Sequence, residues 1–171
     1  MTFKQKLHNV RAFAFDVDGV FSNLLFLSPH GELMRTMNVK DGFALQYALR
    51  DGYQVAIISG ADSESVRTRF RILGVEAIYM KSSDKIHDFR DFLSRFHIEA
   101  SQVLYMGDDL PDIEVMQEAG VATCPSDAAV EIRALADYIS PHPACGGCVR
   151  DVIEQTLRLQ GRWNLPGTHH W

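Results

Sequence analysis

A chain of 171 residues, 46% of them apolar, is long enough to bury the core of a single domain. Its formal charge of −5 argues against a nucleic-acid backbone or an anionic membrane surface as principal partner. No charged-then-apolar leader opens the chain and no apolar run approaches the roughly 18 residues of a membrane helix, so a cytoplasmic protein is expected.

The first element is "AFAFDV", an apolar run that reads as a buried strand. It runs into "DVDG", which sets Asp16 and Asp18 two positions apart. Residues i and i+2 of a strand share a face, so both carboxylates would converge at its carboxyl end. Two such charges repel unless something positive lies beside them.

Next comes "LLFLSPHGELMRTM", which predicts a β-hairpin within about 21–37 and Gly31 in its turn. One arm carries Leu24, Leu25, Phe26 and Leu27, the other Leu33, Met34 and Met37. A lone hairpin is marginal in water, so this one is expected to pack, by preference at a subunit interface.

"GFALQYALRDG" (42–52) reads as a helix closed by Gly52, and "QVAIISG" (54–60) as the next strand. "SESVRTRFRILG" is a helix closed by Gly74, "EAIYM" a strand, and "DKIHDFRDFLSRF" a helix with Ile86, Phe89, Phe92, Leu93 and Phe96 on one side. "QVLYMGDD" is strand and turn; "LPDIEVMQEAG", "VATCP", "DAAVEIRALA" and "CVRDVIEQTLRL" add helix, strand, helix and helix. The alternation predicts an α/β fold, a Rossmann-like doubly wound parallel sheet. We expect one domain over 1–162 and a flexible tail over 163–171, in which His169 and His170 are not ligands. "CGGC" (145–148) has no second CxxC, and His142 completes no usual zinc spacing, so it reads as a small-residue loop before a helix.

Ligands of such sheets bind at the carboxyl ends of strands, near the switch in strand order. There the strands end in "DVDG", "SG" and "GDD", and Lys85 starts an intervening helix. A phosphoryl group in flight carries dense negative charge, and a carboxylate can attack it only where a cation and donors neutralise the site. The aspartates offer hard oxygen ligands for Mg²⁺, while Lys85 and the Ser59 hydroxyl offer a charge and a donor to phosphate oxygens. A unit-charge pair at about 4 Å is worth on the order of 4 kcal/mol at an effective dielectric of 20, enough to reverse the repulsion. Taken singly, Asp18, Asp109 or Asp112 would more often cap a turn, and Lys85 would be a solvated helix residue. Together they point to catalysis.

"DVDGV" (16–20), "ISG" (58–60), Lys85 and "GDDLPD" (107–112) together resemble the four ordered motifs of haloacid-dehalogenase superfamily phosphatases. The resemblance implies Asp16 as nucleophile and Mg²⁺ ligand, forming an aspartyl-phosphate. It implies Asp18 as the acid and base that serves leaving alcohol and water, with its backbone carbonyl on the metal. Ser59, Gly60 and Lys85 would hold phosphoryl oxygens, Asp108 would be the third metal ligand, and Asp109 and Asp112 would act from behind or orient Lys85. About twenty residues in each gap between motifs leave no room for a cap domain.

The hairpin, "NVKDGFAL" (38–45), "LG" (73–74) and the late Gly-Gly loop before "VRD" are similar to the tetrameric 3-deoxy-D-manno-octulosonate 8-phosphate phosphatases. That likeness implies a phosphorylated eight-carbon sugar acid as substrate, in lipopolysaccharide precursor synthesis, and a homotetramer whose neighbouring subunits complete each site. Arg69, Arg150 and Lys40 become candidates for the substrate's carboxylate and sugar. Ala61 after the second motif decides nothing between this substrate and a nine-carbon 2-keto-sugar-acid 9-phosphate. A phosphotransferase, and from another class a non-catalytic binding module on the same fold, remain alternatives.

Overall fold

Alternation along the first strand organises the molecule, and the computed structural model describes residues 1–31 and 33–168 of it. In β1 (Ala12–Phe15), Phe13 and Phe15 enter one buried cluster and Ala12 and Ala14 another, so the strand is apolar on both faces. β4 (Gln54–Ile58) and β6 (Val103–Met106) repeat the pattern: Val55, Ile57, Leu104 and Met106 face one way, Ala56, Ile58, Val103 and Tyr105 the other. A strand buried on both sides belongs in the middle of a helix-covered sheet.

The strands with β5 (Ala77–Tyr79), β7 (Val121–Cys124) and β8 (Tyr138–Ile139) form one sheet in the order β5-β4-β1-β6-β7-β8, every pairing parallel. On the phenylalanine side of β1 lie α2 (Val39–Arg50) and α7 (Cys148–Leu159), with Phe70 of α3 (Glu64–Ile72). On the alanine side lie α4 (Lys85–Phe96), α5 (Ile113–Glu118) and α6 (Val130–Leu135). In α4, Phe89 and Phe92 are fully buried, and Ile86, Leu93 and Phe96 pack around them, as the spacing of its apolar residues predicts. Large rings on one face of β1 are thus backed by alanines on the other, and α4 packs on that alanine side against β4 and α5.

The expected hairpin is present as β2 (Leu25–Leu27) against β3 (Leu33–Arg35), antiparallel with Phe26 opposite Met34. Gly31 takes a left-handed φ of +83° in the turn. Leu27 is 81% exposed, and Leu25, Phe26, Leu33 and Met34 are exposed with it. The described residues contain no cap domain over the sheet's carboxyl edge and no helix long and apolar enough to cross a membrane.

A helix start and two short elements differ from the sequence reading. The helix expected from residue 42 starts at Val39, because the Asn38 side chain accepts from the Lys40 N–H at 2.9 Å and caps it. α1 (Phe3–Leu7) and β8 were not foreseen; five and two residues are too short to show a period. The residues after 162 make contacts: the Trp163 ring lies 4.7 Å from that of Tyr47, and the Tyr47 hydroxyl donates to the Arg162 carbonyl at 3.0 Å. His169 and His170 lie outside the described residues.

The loop "CGGC" holds free thiols directed to different partners, Cys145 towards the Thr36 hydroxyl and Cys148 to the Val20 carbonyl. Beneath it, fully buried Asp41 of α2 accepts from the Arg150 N–H at 2.8 Å and so caps the first turn of α7. Its second oxygen has no partner among the described residues. Burial pushes this carboxyl up to about 6, against the opposing pull of the Arg150 and Gly147 N–H groups.

Two outcomes follow for stability. Phe89→Ala should cost about 3–5 kcal/mol in urea unfolding, as for a deleted core ring; a cost below about 1 would mean that α4 is not held by this face. Asp41, raised in the fold above the unfolded value near 4, contributes stability that is present below that value and is lost as pH rises through about 6. Asp41→Asn should therefore flatten the pH dependence of unfolding between about 4 and 7, removing on the order of 2–3 kcal/mol of it. An unchanged slope would place the charge of Asp41 elsewhere.

Candidate active site

The chain passes from β1 to β4 and β5 on one side and returns to β6 on the other, so the switch in strand order falls between β1 and β6. Phe15 pairs with Met106 there, and the Asp16 N–H bonds to the Met106 carbonyl at 3.0 Å. The registered strands therefore deliver Asp16 and Asp108 side by side. Ser59 follows β4 on the other flank, where its N–H bonds to the Tyr79 carbonyl at 2.9 Å and its hydroxyl oxygen accepts from the Ala61 N–H at 3.2 Å.

Lys85 arrives from α4, whose N-terminus is capped by Asp84, accepting from the His87 N–H at 3.3 Å. Its ammonium lies 3.1 Å from Asp16 and 2.7 Å from Asp112, and all three side chains are at least nine-tenths buried. Burial alone would lower the Lys85 ammonium, but Asp16 and Asp112 outweigh it and hold it above its ordinary value. Lys85 is therefore a fixed positive charge at neutral pH.

Asp112 has every oxygen engaged. Oδ1 accepts from Lys85 and from the Tyr105 hydroxyl at 2.6 Å, and Oδ2 accepts from the N–H groups of Asp108 at 2.9 Å and Asp109 at 3.3 Å. It is the post that aims Lys85 and shapes the Asp108 turn. Asp109 caps the 3-10 turn Leu110–Asp112, accepting from the Leu110 N–H at 2.8 Å.

One depression is lined by Asp16, Asp18, Ser59, Gly60, Lys85, Asp108, Asp109 and Asp112, so the eight residues of the four motifs meet at one place. Lys40 and Arg150 line another, beside α7, where Arg150 pairs with Glu154 at 3.0 Å and covers the Trp163 ring. Arg69 lines a third, near Val17 and Ser22. Within one chain the three basic residues are not in the carboxylate pocket.

Among the described residues the carboxylates able to converge on a cation are Asp16, Asp108 and Asp112, with one oxygen of each within 4.8 Å of the others. The sequence reading gives Asp18 to the metal through its backbone carbonyl, not its carboxylate, and places Asp112 behind the ligands. The Asp18 side chain is turned to Arg35 of β3, at 2.7 and 2.9 Å through Nε and Nη2. Burial pushes the Asp16 carboxyl well up, opposed by Lys85 and reinforced by Asp112 and Asp108. Burial likewise pushes Asp108 up to about 6, with Asp112 adding to it. One lysine against this much buried negative charge is too little, and a divalent cation fits the deficit.

Sequence reasoning missed Arg35 and Tyr105. Tyr105 sits in a wholly buried strand and carried no polar signal; Arg35 stands in a hairpin arm read only for its apolar residues.

A doubly wound sheet with these groups at its switch point defines a haloacid dehalogenase-like hydrolase, and residues 68–153 match that family. Over 92% of its length the chain is 35% identical to 3-deoxy-D-manno-octulosonate 8-phosphate phosphatase KdsC of Escherichia coli (strain K12), of which it covers 84%. It therefore belongs to the 3-deoxy-D-manno-octulosonate 8-phosphate phosphatase family. The phosphatase of that name from Yersinia pestis superposes with a TM-score of 0.91 at 31% identity, over 94% of this chain and 87% of that one. The Moraxella catarrhalis phosphatase, solved with magnesium, phosphate and KDO, gives 0.91 at 32% identity over 95% and 94%.

The charge deficit predicts that Mg²⁺ raises the thermal unfolding midpoint, by the equivalent of about 2.7 kcal/mol at a hundred times its Kd. A Cβ at Gly19, where φ is +93°, would run into the Asp108 carboxylate, so Gly19→Ala should abolish most of that shift. A midpoint indifferent to Mg²⁺ in the parent protein would count against the cation site.

Proposed function

We propose that this chain is a Mg²⁺-dependent phosphatase that converts 3-deoxy-D-manno-octulosonate 8-phosphate to 3-deoxy-D-manno-octulosonate and phosphate, through an aspartyl-phosphate on Asp16. The observation that carries the chemistry is the buried Asp16–Lys85–Asp112 chain at the switch point, next to Asp108 and Ser59. The substrate is supported by the family and by the KDO found with a relative of 32% identity.

In this reading an Asp16 oxygen attacks phosphorus as the ester P–O bond breaks, and Asp18 gives its proton to the departing alkoxide. Asp18 then takes a proton from water as the water oxygen bonds to phosphorus and the P–O bond to Asp16 breaks. Lys85, aimed by Asp112, and the Ser59 hydroxyl and Gly60 region hold the phosphoryl oxygens. Asp16, Asp108 and the Asp18 carbonyl would hold Mg²⁺, which supplies positive charge for the transferring group.

The working unit we propose is a homotetramer. The exposed apolar hairpin supports it, as does the placement of Lys40, Arg69 and Arg150 in cavities other than the carboxylate pocket, which suits them to complete a neighbour's. Residues 1–162 act as one domain, and three free thiols suit a reducing compartment such as the cytoplasm.

The test is phosphate release from eight- and nine-carbon sugar acid phosphates, with hexose phosphates as controls, with and without Mg²⁺. The octulosonate ester should lead in kcat/KM, and Asp16→Asn should lose at least about a thousandfold in kcat while keeping its circular dichroism. A lead by the nine-carbon ester would change the substrate alone; activity surviving in Asp16→Asn would remove the covalent mechanism.

A further inference from the structure

The hairpin reaches back to the catalytic loop through one side chain. Arg35 Nε lies 2.7 Å from Asp18 Oδ1 and Nη2 lies 2.9 Å from Oδ2, a two-point fork on one carboxylate. Its remaining nitrogen, Nη1, donates to the Leu33 carbonyl at 3.2 Å, so the guanidinium is fixed to its own strand. The Arg35 side chain is 7% exposed, whereas that of Asp18 is 39% exposed. The rigid partner is therefore the arginine.

Most ion pairs in this chain run along helices or between exposed groups, as Arg158 and Glu154 do, and such pairs contribute little. The Arg35 pair instead joins the projecting hairpin to the turn after β1, and it engages an aspartate that also lines the Asp16 pocket. An unpaired aspartate on a turn samples several rotamers, and a planar fork selects one of them.

We propose that Arg35 is the positioning residue for Asp18, so that the hairpin sets the orientation of the group that exchanges protons with the leaving alcohol. This rests on the phosphatase reading above. In the first half-reaction Asp18 carries a proton from solvent on Oδ2, which gives up the Nη2 contact while Nε still holds Oδ1; the Asp16 oxygen–phosphorus bond forms, the ester P–O pair goes to the alkoxide oxygen, and that oxygen takes the Asp18 proton. A misaimed Asp18 slows this step wherever the alkoxide needs the proton. An ester with an acidic phenol as leaving group needs it far less.

The test compares 3-deoxy-D-manno-octulosonate 8-phosphate with p-nitrophenyl phosphate, using the full chain with Mg²⁺. The ratio kcat/KM reports the steps up to departure of the alcohol. Arg35→Met should lower it about tenfold or more for the sugar ester and less than about threefold for the aryl ester, with Arg35→Lys recovering part of the loss. In an Asp18→Asn background, Arg35→Met should add less than about threefold for the sugar ester, because the two act as one unit. That cycle separates positioning from direct grip on the sugar acid, which would cost the same with or without the Asp18 carboxyl.

Equal losses for both esters, an additive cycle, or no loss at all would each overturn the role of Arg35 while leaving the phosphatase intact. A parent enzyme that releases phosphate from neither ester would overturn both readings together. Should Arg35→Met unfold by circular dichroism, Arg35→Lys and Arg35→Gln supply the same comparison.

Discussion

Three carboxylates within reach of one another, Asp16 and Asp112 buried and Asp108 half-buried, form the constraint around which the rest is arranged. Left alone they would repel or take up protons, and the raised values of Asp16 and Asp108 express that tension. Lys85 relieves part of it and cannot relieve all. Lys85 is held against its own desolvation by Asp112, which is steadied by Tyr105 from inside the sheet and by two N–H groups from the turn. Catalytic charge and structural hydrogen bonding are thus one network.

The same logic explains why both faces of the sheet are so apolar. Interactions between the charged groups gain strength from low surrounding polarizability, and Phe13 and Phe15 on one side, with Phe89 against Tyr105 on the other, provide it. Parallel register then places the charges: the pairings of β1 with β4 and with β6 bring Ser59 and Asp108 to either side of Asp16. A strand slipped by two residues would keep its apolar faces and lose the site.

Much of this was legible in the chain because strand ends and turns carry their chemistry in short motifs. "DVDG", "SG", Lys85 and "GDD" could be placed at one edge before any geometry was known, and they do meet there. The doubly wound order was readable from alternating periods. Less was readable where meaning lies in a long-range partner. Asn38 shifts a helix start by a side-chain bond, Tyr105 turns a strand residue into a support for Asp112, and Arg35 is a lone cation in an apolar arm until its tip is seen on Asp18. The arginines proposed for substrate show the same limit, since nothing in the spacing of Arg69 or Arg150 says which cavity they line.

The central position of β1 also bears on how the chain reaches this state. Ala12 pairs with Gln54 on one side and with Val103 on the other, so this strand is made before both of its neighbours and has the second of them far downstream. Loop closure over such separations is slow, and an apolar ribbon open along both edges invites pairing with other chains meanwhile. Asp16 is therefore made before most of the residues that come to surround it. Enzyme competence should appear only after the far half of the sheet has docked, and growth temperature or chaperone supply should govern yield more than mutations at the exposed helix faces do.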